Sequence, residues 1–204
     1  MKLYYYRSAC SLVVRIVLNE LGIDFQSEAV DLRAKKTANG EDYLTINPKG
    51  AVPALGLDNG EVLTENQVIL QYLADTTPGQ NLLPALGELP RYRTLEWLNY
   101  ISTELHKSLG MFFNPSLPED LKNDLLTPMI MLRFATINNQ LSKGSYLMGE
   151  HFSLPDAYLF VMVLWANHFK MDLSSYTHLH QFMKQMEARP SVINSLKQES
   201  NHPQ

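Results

Sequence analysis

The sequence predicts a small α/β domain followed by an all-α domain. Three observations carry that reading. Two periodicities, one of strands and one of helices, alternate through the first third of the chain. The run Thr76-Thr77-Pro78-Gly79-Gln80-Asn81 breaks the pattern, and Pro84, Gly87 and Pro90 extend the break. Beyond it, every apolar segment has helical spacing. The 204 residues are 45% hydrophobic and 19% charged, with 10 glycines and 11 prolines. That is ordinary globular composition, and it excludes a disordered or collagenous chain. A chain of this size buries roughly 70% of its unfolded surface, enough for one sizeable core or two small ones.

The first strand is Lys2-Leu3-Tyr4-Tyr5-Tyr6, short and aromatic. Ser8 to Leu21 sets Leu12, Val13, Ile16, Val17 and Leu21 at helical spacing, with Gly22 as the stop. Phe25 to Val30 alternates weakly and reads as a second strand. Val52–Leu57 and Glu61–Leu63 flank Asp58-Asn59-Gly60, and an Asn-Gly turn between apolar runs signals a hairpin. Thr64 to Ala74 is helical again, completing a domain of about 80 residues. After the break, Arg91–Met111, Glu119–Leu141, Leu154–Phe169, Tyr176–Ala188 and Val192–Glu199 all read as helices. Ser153-Leu154-Pro155-Asp156 is a capping-box variant with aspartate for glutamate. The helix it opens is apolar all round, which suits the centre of a bundle.

Charge and cysteine usage narrow the function classes. The net charge is −4 and no five like charges run together, so binding to nucleic acid by phosphate neutralisation is not expected. Met1 to Tyr6 has no basic region followed by a long apolar stretch, so no signal peptide is expected. The longest apolar run, Ala157 to Ala166, falls far short of the ~20 residues that span a bilayer. One cysteine cannot form an intrachain disulfide, which fits a reducing cytoplasm. The expectation is a soluble cytoplasmic protein.

Four places could carry chemistry. Cys10 follows a strand and sits in the first turn of a helix, where free N–H groups and the helix dipole favour a thiolate. The same position suits a small buried apolar residue. Asn47-Pro48-Lys49-Gly50-Ala51-Val52-Pro53 enters a strand, and a cis Val52–Pro53 bond would leave the Val52 backbone open to an extended ligand. An ordinary trans proline at a strand edge is the alternative. Glu65 could hold an ammonium while Asn66 and the helix start hold a carboxylate, as an amino-acid head group requires; simple helix capping is the bland reading. Asn99, Thr103 and His106 stand at i, i+4 and i+7 beside Lys107, opposite Trp97, Leu98, Ile101, Leu105 and Leu109. That polar stripe is either a solvated face or a site with a proton-transferring histidine. The histidines are scattered, and no metal site is expected.

Together these segments resemble the glutathione S-transferase family over about Met1 to Leu196. Ala9-Cys10-Ser11, Asn39-Gly40, Glu96-Trp97-Leu98-Asn99-Tyr100-Ile101 and Glu104-Leu105-His106-Lys107 are similar to its bacterial beta class. The resemblance implies a thioredoxin-like, glutathione-binding domain over 1–78, a linker over 79–86, and a helical domain over 87–204 that contributes the electrophile site. It implies Cys10 and His106 as catalytic residues, with Cys10 on the glutathione sulfur and able to form a mixed disulfide with it. Val52 would pair with the cysteinyl backbone, with Pro53 cis, and Glu65 and Asn66 would hold the γ-glutamyl group. Lys35, Asn99, Thr103, His106 and Lys107 would complete the site, with Glu104 reaching across a homodimer interface.

Two residues depart from the pattern: Arg7 stands where the family usually has proline, and Asn66 where serine or glycine is usual. The implied activity is glutathione conjugation to a small apolar electrophile, with detoxification among the implied roles and no metal. Met111, Phe112 and Phe113 are candidates for lining the electrophile pocket, or for the core. Glutathione-dependent thiol–disulfide exchange or peroxide reduction is a second reading. A third is a non-catalytic interaction protein on the same fold, which would have no chemical need for Cys10, Glu65 and His106.

Overall fold

The structure is a computed structural model that describes residues 1–77 and 81–200. Pro78, Gly79 and Gln80, in the expected interdomain break, lie outside the described residues. The chain forms two compact units. One comprises Met1–Gln80 with Ala188–Gln204, the other Asn81–Glu187.

In the first unit the strands are β1 (Lys2–Tyr5), β2 (Gln26–Asp31), β3 (Lys36–Thr37), β4 (Ala54–Gly56) and β5 (Val62–Thr64). They form one mixed sheet in the order β3-β2-β1-β4-β5. Only β1 and β2 run parallel, with Leu3 opposite Ser27, and the crossover between them is helix α1 (Ser11–Glu20). The β4–β5 hairpin closes on Asp58-Asn59-Gly60, where the Leu57 N–H reaches the Glu61 carbonyl at 2.8 Å and Gly60 takes a φ of 87°. At the end of α1, Gly22 at φ 66° lets the Ile23 N–H return to the Leu18 carbonyl.

The pleat of β1 splits its side chains between two cores. Tyr4 packs with Val30, Tyr43, Val52 and Ala54 on one face. Tyr5 turns to the other, where its ring lies under Arg15 of α1. Helix α1 is buried from Ser11 to Leu18 because it touches the sheet, α3 (Asn66–Thr76) and α9 (Pro190–Ser200). That last contact differs from the sequence reading, which groups residues 87–204 as one helical domain. The Glu20 carboxylate accepts bonds from Arg189 and from Ser191 Oγ, while Asn19 Nδ2 donates to Ser195 Oγ at 2.8 Å. Helical spacing reveals a helix but not the unit it docks on.

Short elements also escape the sequence reading. Strand β3 has two residues, and α2 (Tyr43–Ile46) is a single turn capped by Asp42, which accepts the Leu44 N–H at 3.0 Å.

The second unit is helical. Helix α4 (Leu89–Tyr100) continues through a π-helical stretch at Ile101–His106 into α5 (Lys107–Met111). A second π stretch, Leu121–Leu126, leads into α6 (Thr127–Leu141), followed by α7 (Leu154–His168) and α8 (Thr177–Glu187). Helix α7 is buried along nearly its whole length and packs on α4, the first π stretch and α5. Its start is fixed by Asp156, which accepts the Ser153 N–H and Oγ–H at 2.8 and 2.7 Å and the Leu147 N–H at 2.9 Å. Among the described residues no helix is long and apolar enough to cross a membrane.

Candidate active site

In the first unit the sequence-predicted residues gather around one loop. Helix α1 begins at Ser11, so Cys10 is its N-cap residue rather than a first-turn residue. Cys10 is 8% exposed, and its thiol donates to the Val52 carbonyl at 3.2 Å. Only the protonated sulfur can make that bond, so ionisation gives it up in exchange for the field of the helix start.

The Val52–Pro53 peptide is cis. Its loop is held from beneath: Tyr43 Oη and Asn47 Nδ2 both donate to the Ala51 carbonyl, at 2.8 and 2.7 Å. Burial pushes the Tyr43 hydroxyl up to about 12. Lys35 fixes the same loop one residue earlier, its Nζ donating to the Gly50 carbonyl at 2.7 Å.

Glu65 and Asn66 open α3. Glu65 has φ 70° and ψ 120° without being glycine, a conformation that costs on the order of 1–3 kcal/mol and is typical of functional sites. Its carboxylate is exposed and meets Lys49 Nζ at 2.7 Å. An exposed pair of this kind contributes about 0–1 kcal/mol, so a ligand ammonium can compete for the carboxylate. The first intrahelical bonds run from Val68 and Ile69 to the Glu65 carbonyl, which leaves the Asn66 and Gln67 N–H groups at the positive end of the helix. Asn66 itself is 6% exposed, and its Oδ1 has no hydrogen-bond partner.

The remaining predicted residues lie in the second unit, where His106 parts from the others. The predicted stripe of Asn99, Thr103 and His106 assumes 3.6 residues per turn. Ile101, Leu105 and Leu109 are buried opposite that stripe, as predicted, and the π stretch at Ile101–His106 widens the turn that carries His106. Thr103 Oγ1 donates to the Asn99 carbonyl at 3.0 Å, and Asn99, Thr103 and Lys107 are exposed. His106 instead turns toward α7. A 2.6 Å hydrogen bond joins its Nδ1 to the Tyr158 hydroxyl, and its ring lies 5.1 Å from that of Trp165. Glu104 pairs with Arg133 of α6 at 3.0 Å.

Lys49 and Tyr43 in the first unit, and Tyr158 and Trp165 in the second, are neighbours of the predicted residues that sequence reasoning missed. Lys49 lies inside the proline-bracketed loop; the other three have no signal beyond an apolar pattern. Phe112, Phe113, Trp165, His168 and Phe169 form a cluster of ring contacts, with Phe113 4.8 Å from Trp165 and 4.7 Å from Phe169. Among the described residues no group of three His, Cys, Asp or Glu could hold a metal ion.

Comparison with known proteins matches both units. Residues 7–76 fit the model for the glutathione S-transferase N-terminal domain, and residues 101–190 that for the C-terminal domain. The chain is 43% identical over 199 residues to glutathione S-transferase GstA of Escherichia coli O157:H7, covering 98% of each. It superposes with a TM-score of 0.94 on a sphingomonad glutathione S-transferase complexed with glutathione, at 40% identity, covering 99% of this chain and 100% of that one. A bacterial beta class enzyme from Sphingomonas chungbukensis gives 0.93 at 39% identity, covering 98% of each. With each unit matched and the whole length shared, the chain belongs to the glutathione S-transferase family.

Proposed function

We propose that this protein conjugates glutathione to small apolar electrophiles, with Cys10 able to form a mixed disulfide with glutathione. One observation carries the reading: the lone thiol is hydrogen-bonded to the Val52 carbonyl at the start of α1. A cysteinyl backbone paired at Val52 would bring its own sulfur beside that thiol. There the helix start favours negative charge, lowers the cost of forming the glutathione thiolate and readies it for attack. Glu65 takes the γ-glutamyl ammonium, and Asn66 with the α3 N-terminus takes its carboxylate. Lys35, Asn99, Thr103, His106 and Lys107 complete the site, with Glu104 contributed across a homodimer interface. In this reading residues 1–78 bind glutathione and the helical unit, Asn81–Glu187, supplies the electrophile surface.

The ring cluster around Phe113 supports an apolar, aromatic acceptor, since half of the Phe113 side chain is exposed. A homodimer is supported by exposed Leu89 and Tyr92 on α4 and by Leu125, Met129 and Leu132 on and before α6. A cytoplasmic setting keeps the single thiol reduced.

The place of Cys10 at the start of α1 also supports a second reaction, thiol–disulfide exchange. The Cys10 thiolate attacks one sulfur of oxidised glutathione, forming a Cys10–glutathione disulfide. The other glutathione leaves as a thiolate and takes up a proton.

The test is an intact mass spectrum after incubation with oxidised glutathione, run beside a conjugation assay. One glutathionyl adduct is expected, reversed by dithiothreitol and absent from Cys10→Ala. No adduct together with no conjugation removes the proposal.

A further inference from the structure

The turn from Tyr6 to Cys10 carries the sulfur, and its middle residue, Ser8, is left-handed at φ 59°. A serine in that region needs something to hold it. The Ser8 N–H donates to Glu199 Oε2 at 2.9 Å, a contact spanning 191 residues. Glu199 lies in the last turn of α9 and is 4% exposed. Its counter-charge is Arg15, 1% exposed, with Nε 3.9 Å from Oε1 and the guanidinium 4.4 Å over the Tyr5 ring. Burial raises the Glu199 carboxyl and lowers the Arg15 guanidinium from their ordinary values.

This pair is poorly built for holding helices together. Taking two charges out of water costs several kcal/mol, repaid only when the geometry is good. Here Arg15 Nε and Nη2 and Glu199 Oε1 are buried without hydrogen-bond partners. Docking of α9 on α1 is already supplied by Glu20 with Arg189 and Ser191, and by Asn19 with Ser195 and Gln198. The carboxylate's hydrogen bond goes to the cysteine turn and not to its counter-charge.

We propose that Glu199 is a positioning residue for Cys10: its carboxylate clamps the Ser8 N–H and thereby fixes the turn that sets the sulfur against Val52. The proposal rests on reading Cys10 as the thiol that faces glutathione. Arg15 stands beside the carboxylate as its counter-charge, 3.9 Å from Oε1. Because Cys10 is nearly buried, the clamp also shields it from reagents that do not dock.

The test reads three rates in folded Glu199→Ala and Glu199→Gln: amide hydrogen exchange at Ser8, alkylation of Cys10 by iodoacetamide, and adduct formation with oxidised glutathione. Losing a charge-assisted bond should speed Ser8 exchange about tenfold in Glu199→Ala. Alkylation by the small reagent should rise about fivefold as the turn opens, while adduct formation, which needs a docked ligand, falls. Glutamine retains a carbonyl acceptor and should restore all three to within about twofold of the parent protein. A purely structural role would move the melting temperature and leave the Ser8 and iodoacetamide rates alone, and that result overturns the clamp. Failure of glutamine to restore them overturns it as well. If Glu199→Ala does not fold, Glu199→Asp, one methylene shorter, replaces it with the same expectations. If the parent protein forms no adduct, the glutathione reading of Cys10 fails, while the exchange and alkylation rates still decide the clamp.

Discussion

Tyr43 stands under the Val52–Pro53 loop with its hydroxyl on the Ala51 carbonyl, and burial holds it protonated to about 12, against an ordinary value of 10.0. A folded-state value raised above the unfolded one means that its stabilising contribution is whole below pH 10 and is lost as pH rises toward 12. Urea unfolding should therefore show the protein losing about 2 kcal/mol across that window. Tyr43→Phe should cost about 1 kcal/mol at pH 8 and then show a flatter alkaline profile. Glu65→Ala tests the head-group site, and calorimetry should show glutathione binding weakened by about 2 kcal/mol. At this scale the sequence is most legible where backbone chemistry restricts the residue. The proline pair around Val52, the Asn-Gly turn and Gly22 each require a conformation that few residues adopt. Tyr43 is illegible because its role depends on a carbonyl eight residues away.

Helices α1, α3 and α7 are readable from apolar spacing, and α7 also from its capping aspartate, Asp156. It is fully buried and accepts bonds from the Ser153 backbone and hydroxyl and from the Leu147 backbone. Asp156→Ala should destabilise the protein by about 3 kcal/mol or more in denaturant unfolding, because it leaves several buried donors without an acceptor. The element from Leu89 to Met111 departs from the sequence reading at one residue, His106. Its sequence carries a continuous 3.6-residue pattern, but the backbone adopts π geometry from Ile101 to His106. Asn99, Thr103 and Lys107 keep the predicted exposed face, while His106 is turned toward Tyr158 and Trp165. Nothing in residue identity announces a π stretch.

For the whole molecule, the exposed apolar residues of α4 and α6 lead to an expected homodimer. Sedimentation equilibrium at micromolar concentration should return twice the chain mass, and a value near one chain mass would remove the homodimer from the proposed function. The division into units is only partly legible. The order of strands and helices gives the first unit's sheet and its α1 crossover, but no local pattern assigns α9 to it. That assignment rests on contacts between residues more than 160 positions apart, such as Arg189 with Glu20 and Ser195 with Asn19.

The return of α9 to the first unit has a consequence for synthesis on the ribosome. The cysteine turn leaves the exit tunnel well before the carboxylate that holds Ser8, which is translated 191 residues later. At about 5–20 residues per second, the nascent sheet waits on the order of ten seconds or more for its last helix. During that interval the buried face of α1 lacks its cover, and the thiol is held by fewer bonds than in the finished protein. The helical unit, which is continuous in sequence, emerges whole before α9 does. The thiol thus acquires its final environment only when the last turn of α9 has been made.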